Sequence, residues 1–454
     1  AHSLSGVEMR STIACLLLLA CMLALPANAF AAHIFVDDIG DGVTGSGTAD
    51  NPYRDLQAAI DAAPGGSTIV LMPGRYEAVP RAMTETIGGN TQKPATEVKF
   101  MAGFVVSGKS LEIIGASPGE TVLVTNAGNG VYVEDSARFR LTGVTVTGGH
   151  RDDTGDACDA AVVIRRSSAE IDHCQLRDNT HYYEDKIVGV GGVFVRDGGD
   201  AHIHHNAIIN NTWDGIALYR GAHAVIHDNF IYGGRGAGIG VTWDGTADVY
   251  RNIISAYWKG IGSFGESMVS VRNCIVTDLA GWGIIATGES RMDAVNNTVV
   301  RMGNVGFAGW ESSAQFKMIN NISYDSGTVE QWVAPRVGLW MNCAPANYRV
   351  LNNCIWGSTE ANYLGMEDPT GTFGNISADP MFITGKLNLP EGATPATTSF
   401  AVVPDDLFEQ VGGGYRLQVG SPCLGAGFES YVNPDGGASD LGAFGGWMAP
   451  VANK

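Results

Sequence analysis

Four aspartates lie within eight residues of the segment TGGHRDDTGDACD, at positions 152, 153, 156 and 159. Carboxylate oxygens grouped in this way are typical ligands of a hard cation such as Ca²⁺. The spacing therefore predicts a calcium site formed by Asp152, Asp153 and Asp156. The alternative interpretation is a solvated acidic loop, because the whole chain is acidic, with a net charge of -19.

A lysine and two arginines near these aspartates predict chemistry on an acidic ligand. Lys186 lies in the charged loop RDNTHYYEDKIVGV, and a lysine acts as a base when burial or nearby cations lower its pKa. Period-two alternation in AAVVIRR and GGVFVRD predicts that Arg165 and Arg196 point outward from adjacent strands. Stacked guanidiniums repel each other unless they bind carboxylates, either Glu134 and Asp197 or those of a sugar acid. We predict Lys186 as the catalytic base and the two arginines as substrate clamps.

Tryptophans and carboxylates flank the strands that follow. Aromatic faces stack on sugar rings, and carboxylates bind sugar hydroxyls or act as the acid and base of a glycosidase. The candidate substrate-binding residues are Trp213, Asp214, Asp244, Trp258, Glu266, Trp282 and Glu289. The alternative is that the tryptophans fill turns and the acids are solvated. The tetrapeptide TWDG occurs twice, at residues 212–215 and 242–245, but the copies precede and follow their strands respectively, so they are not a duplicated motif.

An internal repeat indicates which elements position these residues. Asparagines flanked by apolar residues recur about every 23 residues, at Asn206, Asn229, Asn252, Asn273, Asn297, Asn321 and Asn353. Between them, glycine precedes short apolar strands such as GIALY, GIGVT and GIGSF. Short strands that cannot bury a face alone must stack on the neighbouring repeats. The pattern predicts an all-β fold, a single-stranded right-handed parallel β-helix with the asparagines in a ladder.

The ends of the chain differ from the repeat. Residues 1–32 are predicted to comprise upstream residues and a secretory signal peptide, because an apolar run precedes a small-residue cleavage site. The β-helix is predicted for residues 33–379, beginning with an amphipathic capping helix over residues 55–63, whose Leu56, Ile60 and Ala63 share one side. Residues 380–454 are predicted to form a C-terminal cap.

Composition and charge restrict the compartment and the partners. The net charge of -19 argues against nucleic acid or an anionic membrane as partner. The sequence has no second apolar run long enough for membrane insertion, so we expect a secreted or periplasmic protein. A lipoprotein box at LLAC, ending at Cys21, is the less favoured alternative. The oligomeric state and the pairing of the cysteines stay open.

The repeat, the segment NPYRDLQAAIDAA with PGRYE, and the closing SPCLGAG with DLGAFGG resemble the pectate-lyase-like superfamily of secreted β-helix proteins. The run DDTGD is similar to the calcium loop of family nine polysaccharide lyases. The resemblance implies a polysaccharide partner, but the superfamily includes lyases, hydrolases, epimerases, esterases and non-catalytic surface proteins, so fold alone does not fix the reaction.

Three functions follow from these residues. The favoured one is a lyase that cleaves an acidic, uronate-containing polysaccharide by β-elimination, with Ca²⁺ or arginine neutralising the uronate and Lys186 removing the proton. The second is a glycoside hydrolase that uses acids among Asp214, Asp244, Glu266 and Glu289. The third is a non-catalytic carbohydrate-binding or surface-structural protein.

Overall fold

The computed structural model describes residues 32–39, 45–87, 96–151, 159–180, 189–329 and 334–450. Within these ranges the backbone winds into successive coils, and a complete coil adds one strand to each of three stacked sheets. Sheets 1 and 3 have 12 strands each, and sheet 2 has 11. Apart from one antiparallel hairpin, neighbouring strands in the sheets are parallel. The predicted all-β solenoid is confirmed.

The strands are numbered along the chain and grouped here by sheet. Sheet 1 contains β1 (His33–Val36), β2 (Ser67–Leu71), β6 (Leu111–Ile114), β9 (Phe139–Thr142), β12 (Ser168–Asp172), β15 (Asp200–His204), β18 (His223–His227), β21 (Thr246–Tyr250), β24 (Met268–Arg272), β27 (Arg291–Val295), β30 (Gln315–Ile319) and β33 (Tyr348–Leu351). Sheet 2 contains β3 (Gly74–Glu77), β7 (Thr121–Val124), β10 (Thr145–Thr147), β13 (Gln175–Arg177), β16 (Ala207–Ile209), β19 (Phe230–Tyr232), β22 (Ile253–Ser255), β25 (Ile275–Leu279), β28 (Thr298–Met302), β31 (Ile322–Tyr324) and β34 (Cys354–Trp356). Sheet 3 contains β4 (Arg81–Ile87), β5 (Thr96–Ser107), β8 (Asn129–Glu134), β11 (Ala160–Arg165), β14 (Gly191–Arg196), β17 (Ile216–Tyr219), β20 (Ala237–Val241), β23 (Lys259–Ser263), β26 (Trp282–Thr287), β29 (Phe307–Trp310), β32 (Val337–Asn342) and β35 (Ala361–Leu364).

The core is built from side chains that repeat from coil to coil. Ile203, Ile226 and Val249 occupy paired positions of three successive strands of sheet 1, and all three are fully buried. Burying one such side chain contributes about 1.5–3 kcal/mol. Because the neighbouring coil supplies much of the covering surface, the apolar alternation stabilises the stack rather than any single coil.

A ladder of asparagines follows sheet 1, as predicted. The amide of Asn206 donates to the side-chain oxygen of Asn229 at 3.0 Å, and Asn229 donates to Asn252 at 2.9 Å. Farther along the solenoid, the same pattern links Asn297, Asn321, Asn353 and Asn375. These amides are buried and also bind backbone carbonyls, so the ladder provides polar partners inside the turn.

The prediction is wrong at Asn273, because Cys274 occupies the ladder position. The backbone N–H of Cys274 donates to the side chain of Asn297 at 3.0 Å. Asn273 lies one residue earlier, with a φ of 52°, and its amide donates to the carbonyls of Ala443 and Gly445. Asparagine tolerates this left-handed conformation better than most residues, which explains why it also occurs directly before the ladder position, at Asn273, Asn296, Asn320 and Asn352.

A short helix, Leu56–Ala62, packs against the first coils. Asp55 begins the helix, accepting a hydrogen bond from the backbone N–H of Ala58 at 2.6 Å. Leu56, Ile60 and Ala63 are buried together, which confirms the predicted apolar side of this helix.

The segment after residue 380 runs along the outer face of sheet 2. It contains the helix Leu407–Gly412 and the 3₁₀ helix Gly413–Tyr415; a further 3₁₀ helix, Pro345–Asn347, precedes β33. Leu407 and Phe408 pack with Phe230 and Ile253 of sheet 2. Sheet 2 is therefore covered along these coils, and the outer faces of sheets 1 and 3 carry the features described below.

Two further observations concern membrane helices and cysteines. Among the described residues, no helix has the length and apolarity needed to cross a bilayer. The described cysteines are buried free thiols, at Cys174, Cys274, Cys343, Cys354 and Cys423. The predicted signal peptide and Cys158 lie outside the described residues.

Candidate functional site

A pocket of about 950 Å³ opens on the outer face of sheet 3, where β17, β20 and β23 lie side by side. Its lining combines two half-buried tryptophans, Trp213 and Trp258, with Asp214, Arg235 and Lys259. Aromatic faces together with a few converging polar groups are typical of small-ligand sites, including sugar sites.

The pocket arises from small residues at one repeated position of the sheet. Ala217, Gly240 and Gly262 pair with one another on successive strands. At the same position, Phe194 precedes them and Ile285 follows them. The outer face of sheet 3 therefore carries only small residues on these three strands and large side chains on the strands at either end. This difference in side-chain size produces the depression.

Asp214 lies at the edge of this depression, in the turn before β17. One of its oxygens accepts a hydrogen bond from the backbone N–H of Ala237 at 2.6 Å, and the other faces the Tyr219 hydroxyl at 3.3 Å. A Cβ atom on Gly236 would lie only 1.8 Å from the carboxylate, so this close approach requires glycine. Burial raises the pKa of Asp214 to about 6, although the backbone hydrogen bond opposes the shift. The carboxyl group can therefore carry a proton in weakly acidic solution.

Lys259 is the first residue of β23 and lies on the opposite side of the pocket from Asp214. Its ammonium nitrogen is 5.1 Å from the centre of the Phe264 ring and 5.4 Å from that of Trp282. Burial lowers the pKa of Lys259, and the carboxylate of Asp214 offsets part of that effect. A lowered pKa increases the fraction of neutral amine, the form that can remove a proton.

The register of the sheet fixes the separation of these two groups. Ile216 pairs with Ile239, so Asp214, two residues earlier, stands opposite Ala237. Ala237 in turn pairs with Lys259. Asp214 and Lys259 are thus two strands apart, roughly 10 Å between backbones, and the paired residue between them is Ala237, whose side chain is a single methyl group. This spacing leaves room for a sugar ring between an acid and a base.

The predicted substrate-binding residues divide into two sets. Trp213, Asp214 and Trp258 line the pocket, while Trp282 is buried beside Lys259 and packs against Trp310 at 4.9 Å. The acids that follow the strands, Asp244, Glu266 and Glu289, are exposed on the turns leading to sheet 1 and do not line the pocket. Asp244 accepts a hydrogen bond from the backbone of Gly221 at 2.6 Å. The two TWDG copies therefore place their carboxylates at opposite ends of the strands.

Arg165 and Arg196 lie on the same sheet, nearer the N-terminus, in a buried network of charges. The hairpin formed by β4 and β5 brings Glu85 to 2.5 Å from Arg196 and 3.1 Å from Arg165. Arg165 also contacts Glu134 at 3.2 Å and Asp197 at 2.9 Å. The side chain of Arg196 is 0% exposed, so in this structure its guanidinium contacts the protein's own carboxylate and is closed to solvent.

The remaining predicted residues are not all described. Lys186, Asp152, Asp153 and Asp156 lie outside the described residues, so the base and the calcium site predicted from the sequence stay predictions. Asp159, the last aspartate of that run, is buried and accepts a hydrogen bond from the amide of Asn129 at 3.2 Å.

Sequence reasoning missed Lys259, Arg235 and Tyr219. Lys259 opens the segment KGIGSF, directly after Trp258, which was predicted as a sugar platform. The signal was the small residues at alternate positions of GIALY, GIGVT and GIGSF, which only become a pocket when the three strands are aligned in register.

Comparison with known proteins identifies the class of fold. Residues 160–323 match the family model described as the right handed beta helix region. Among solved structures, pectate lyase Pel9A is 15% identical, with a TM-score of 0.52, over 92% of this chain and 97% of that chain. A mutant of the periplasmic alginate epimerase AlgG is 11% identical, with a TM-score of 0.41, over 71% of this chain and 82% of that chain. XylC in complex with xylose is 12% identical, with a TM-score of 0.42, over 92% and 99% of the two chains.

The protein is therefore a right-handed parallel β-helix, and the resemblance to the pectate-lyase-like proteins is confirmed at the level of the fold. Among curated protein sequences, no significant match was found. Identities this low leave the reaction to be argued from the pocket itself.

Proposed function

We propose that the protein is a polysaccharide lyase that cleaves a uronate-containing chain by β-elimination in the sheet 3 pocket. The observation that carries the proposal is the pairing of Lys259 and Asp214, whose pKa values burial shifts toward neutral pH from opposite directions, across a pocket lined by Trp213 and Trp258. Titratable groups with such shifts in a cleft are typical of acid and base catalysts.

The reaction requires one base and one acid. The neutral amine of Lys259 removes the proton at C5 of the uronate and becomes an ammonium group. The electron pair of the C5–H bond forms the C4=C5 double bond, and the bond between C4 and the glycosidic oxygen breaks. Protonated Asp214 gives its proton to that oxygen, which leaves as the hydroxyl group of the adjoining sugar. The products are an unsaturated uronate and a shortened chain, and no water is consumed.

The other pocket residues support binding of an acidic sugar. Trp213 and Trp258 present half-buried faces on which pyranose rings can stack. Arg235 is exposed at the pocket and supplies a cation for the uronate carboxylate, a contact that also makes the C5 proton more acidic. Ca²⁺ bound by Asp152, Asp153 and Asp156 would serve the same neutralising role. We place the reaction outside the cell or in the periplasm, where polysaccharides of this kind are encountered.

A second candidate function is glycoside hydrolysis, and one observation favours it. Asp278 lines the same pocket as Asp214, and it is held by Arg301 at 2.6 Å. Two carboxyl groups at one site are what most glycosidases use. In that reaction water enters the product, so the products distinguish the two functions.

The test is incubation of the purified full chain with polygalacturonate, alginate and a neutral glucan, each with and without chelator. We expect ultraviolet absorbance from a new conjugated double bond with an acidic polymer and none with the glucan. Lys259→Ala should lose this activity, whereas Lys317→Ala, on the outer face of sheet 1, should retain it.

Each other outcome selects another function. New reducing ends without the double bond indicate the hydrolase, and retention of a polymer without products indicates a carbohydrate-binding protein. If Lys186→Ala loses lyase activity while Lys259→Ala keeps it, the catalytic base is Lys186, as predicted from the sequence, and not Lys259. Loss of activity on chelation, restored by Ca²⁺, would support the calcium site.

A further inference from the structure

A group of histidines lies on the outer face of sheet 1, away from the sheet 3 pocket. Paired positions of β12 and β15 place Glu170 beside His202. Paired positions of β15 and β18 place His204 beside His227. Because alternate residues of a strand face the same side, all four side chains project from the solenoid together, and we call them the sheet 1 cluster.

The hydrogen bonds of His227 determine which of its nitrogens carries the proton. Arg251 binds Asp228 through two contacts, at 2.8 and 2.5 Å, which keeps this carboxylate ionised. Asp228 lies 2.7 Å from Nδ1 of His227, and an ionised carboxylate only accepts, so Nδ1 carries the hydrogen. The lone pair of His227 is then on Nε2, which faces Nε2 of His202 at 2.7 Å.

A second series of hydrogen bonds determines which ring nitrogen of His204 carries the proton, and again it is Nδ1. Nε2 of His205 donates to the backbone carbonyl of Asp405 at 3.0 Å, which leaves the lone pair of neutral His205 on Nδ1. Nδ1 of His204, 2.9 Å away, must donate to that lone pair. Nε2 of His204 is then an acceptor, and it lies 3.3 Å from a carboxylate oxygen of Glu170. Two acceptors therefore face each other, an arrangement that a cation between them stabilises.

We propose that the sheet 1 cluster is a binding site for a first-row transition-metal ion, with Zn²⁺ as the ion of choice. Ligand atoms of Glu170, His202 and His204 all lie within 4.8 Å of one another. Nε2 of His227 adds a fourth donor beside His202. Zinc takes four nitrogen and oxygen ligands at about 2.0–2.2 Å, so small side-chain rotations bring this set into a tetrahedral shell.

The surroundings match those of a metal centre in a further respect. Metal-binding histidines commonly donate their second nitrogen to a carboxylate or carbonyl group, which orients the ring. Asp228 has this role for His227. For His204 the acceptor is instead a ring nitrogen of His205. Asp228 itself is committed to Arg251, so we assign it as a positioning residue and not as a ligand. Three imidazoles with one carboxylate favour zinc over calcium, which prefers shells of oxygen.

The experiment uses the tag-free full chain, stripped with chelator and titrated with ZnCl₂ by calorimetry, in parallel with CaCl₂. We expect one zinc ion to bind per chain. Any heat of calcium binding should be the same in the wild type and in the variants of the sheet 1 cluster. His204→Gln and His227→Gln should each abolish zinc binding. His223→Gln, on the same strand β18 but outside the cluster, should bind zinc like the wild type. Asp228→Asn should weaken the affinity about 10–100-fold, as expected for a residue that orients a ligand.

A second measurement uses only the wild type, so it tests the proposal even if the variants fold poorly. Co²⁺ in a four-coordinate nitrogen and oxygen site gives intense visible absorption, and excess Zn²⁺ should remove it. The proposal is overturned if the wild type binds no zinc at micromolar concentration, if cobalt gives only the weak spectrum of six-coordinate ions, or if folded His204→Gln binds zinc unchanged.

Discussion

Two groups of charges on the outer face of sheet 3 are treated by the fold in opposite ways. Near the N-terminus, Arg165 and Arg196 lie against Glu85 at 3.1 and 2.5 Å, and the side chains of Glu85 and Arg196 are almost completely shielded. Farther along the same sheet, Asp214 lies one strand beyond Arg196 and Lys259 three strands beyond it. These two groups lie on opposite sides of an open pocket, and burial shifts their pKa values toward each other.

The difference separates charges that stabilise the fold from charges that remain for a ligand. Opposite charges in direct contact offset each other's desolvation, and removal of one leaves the other buried and uncompensated. Charges at the edge of a cavity that do not contact an opposite charge are desolvated without compensation, and their pKa values shift. Such shifted pKa values favour proton transfer near neutral pH. By this criterion Asp214 and Lys259 are the better catalytic candidates, and Arg165 and Arg196 the better structural ones.

The largest expected effect concerns catalysis at Asp214. Asp214→Asn keeps the shape of the side chain but removes the proton donor, so we expect turnover of an acidic polysaccharide to fall about 10²–10⁴-fold with little change in the midpoint of thermal unfolding. The measurement is kcat and the melting temperature on the same preparation. Asp244→Asn is the matched control, because it changes the same residue of the second TWDG copy and Asp244 does not line the pocket. Equal losses in both variants would contradict the comparison.

The second effect concerns stability at Glu85. Glu85→Ala leaves the buried guanidinium of Arg196 without this carboxylate, and we expect the free energy of unfolding to fall by about 3–5 kcal/mol. The control is Glu77→Ala, which breaks an exposed ion pair with Arg75 and should cost less than about 1 kcal/mol. Both values come from urea denaturation. If the two variants are equally stable, the buried network does not stabilise the fold.

The β-helix was predictable from the sequence because a short local pattern of residues repeats in successive coils. Apolar alternation and the recurring asparagine fix the strands and their order. At one rung the ladder position is Cys274, and the asparagine directly before it made the spacing from Asn252 look like 21 residues instead of 22. The sequence contains this information several times over, so one irregular repeat does not change the fold.

The pocket was not predictable in the same way, because it depends on residues of different coils. Ala217, Gly240 and Gly262 are ordinary small residues in their own strands, and only their register aligns them into a depression. The burial of Arg196 depends on Glu85, 111 residues earlier, brought over the sheet by a hairpin that interrupts the repeat. Alternation correctly places the arginines on the outer face but contains no information about what covers them.

The third effect is a pH dependence of stability that Asp214 alone should produce. The folded pKa of Asp214, about 6, is raised above its ordinary value of 3.8. The folded state therefore holds the proton more tightly than the unfolded chain, and this contribution is complete below pH 4 and is lost as the pH rises to 6. We expect a loss of about 1–2 kcal/mol across that window relative to Asp214→Asn, because the carboxyl group keeps some exposure to the pocket. Parallel stability curves for the two proteins would contradict the raised pKa.

The smallest expected effect tests whether the depression itself binds the sugar. A Cβ atom on Gly240 would meet Ala237 at 3.5 Å and Asp214 at 3.6 Å, which are ordinary contacts, so the backbone tolerates a side chain there. Gly240→Val should therefore fold normally, while its methyl groups occupy space between Asp214 and Lys259. We expect KM for an acidic polysaccharide to rise about 10-fold, with the melting temperature nearly unchanged. Gly65→Val, at an exposed turn outside the pocket where an added Cβ atom meets nothing within 4 Å, controls for the substitution itself. An unchanged KM in folded Gly240→Val would mean that the substrate binds elsewhere on the solenoid. The contrast between the paired charges around Arg196 and the separated charges of Asp214 and Lys259 would then not explain activity.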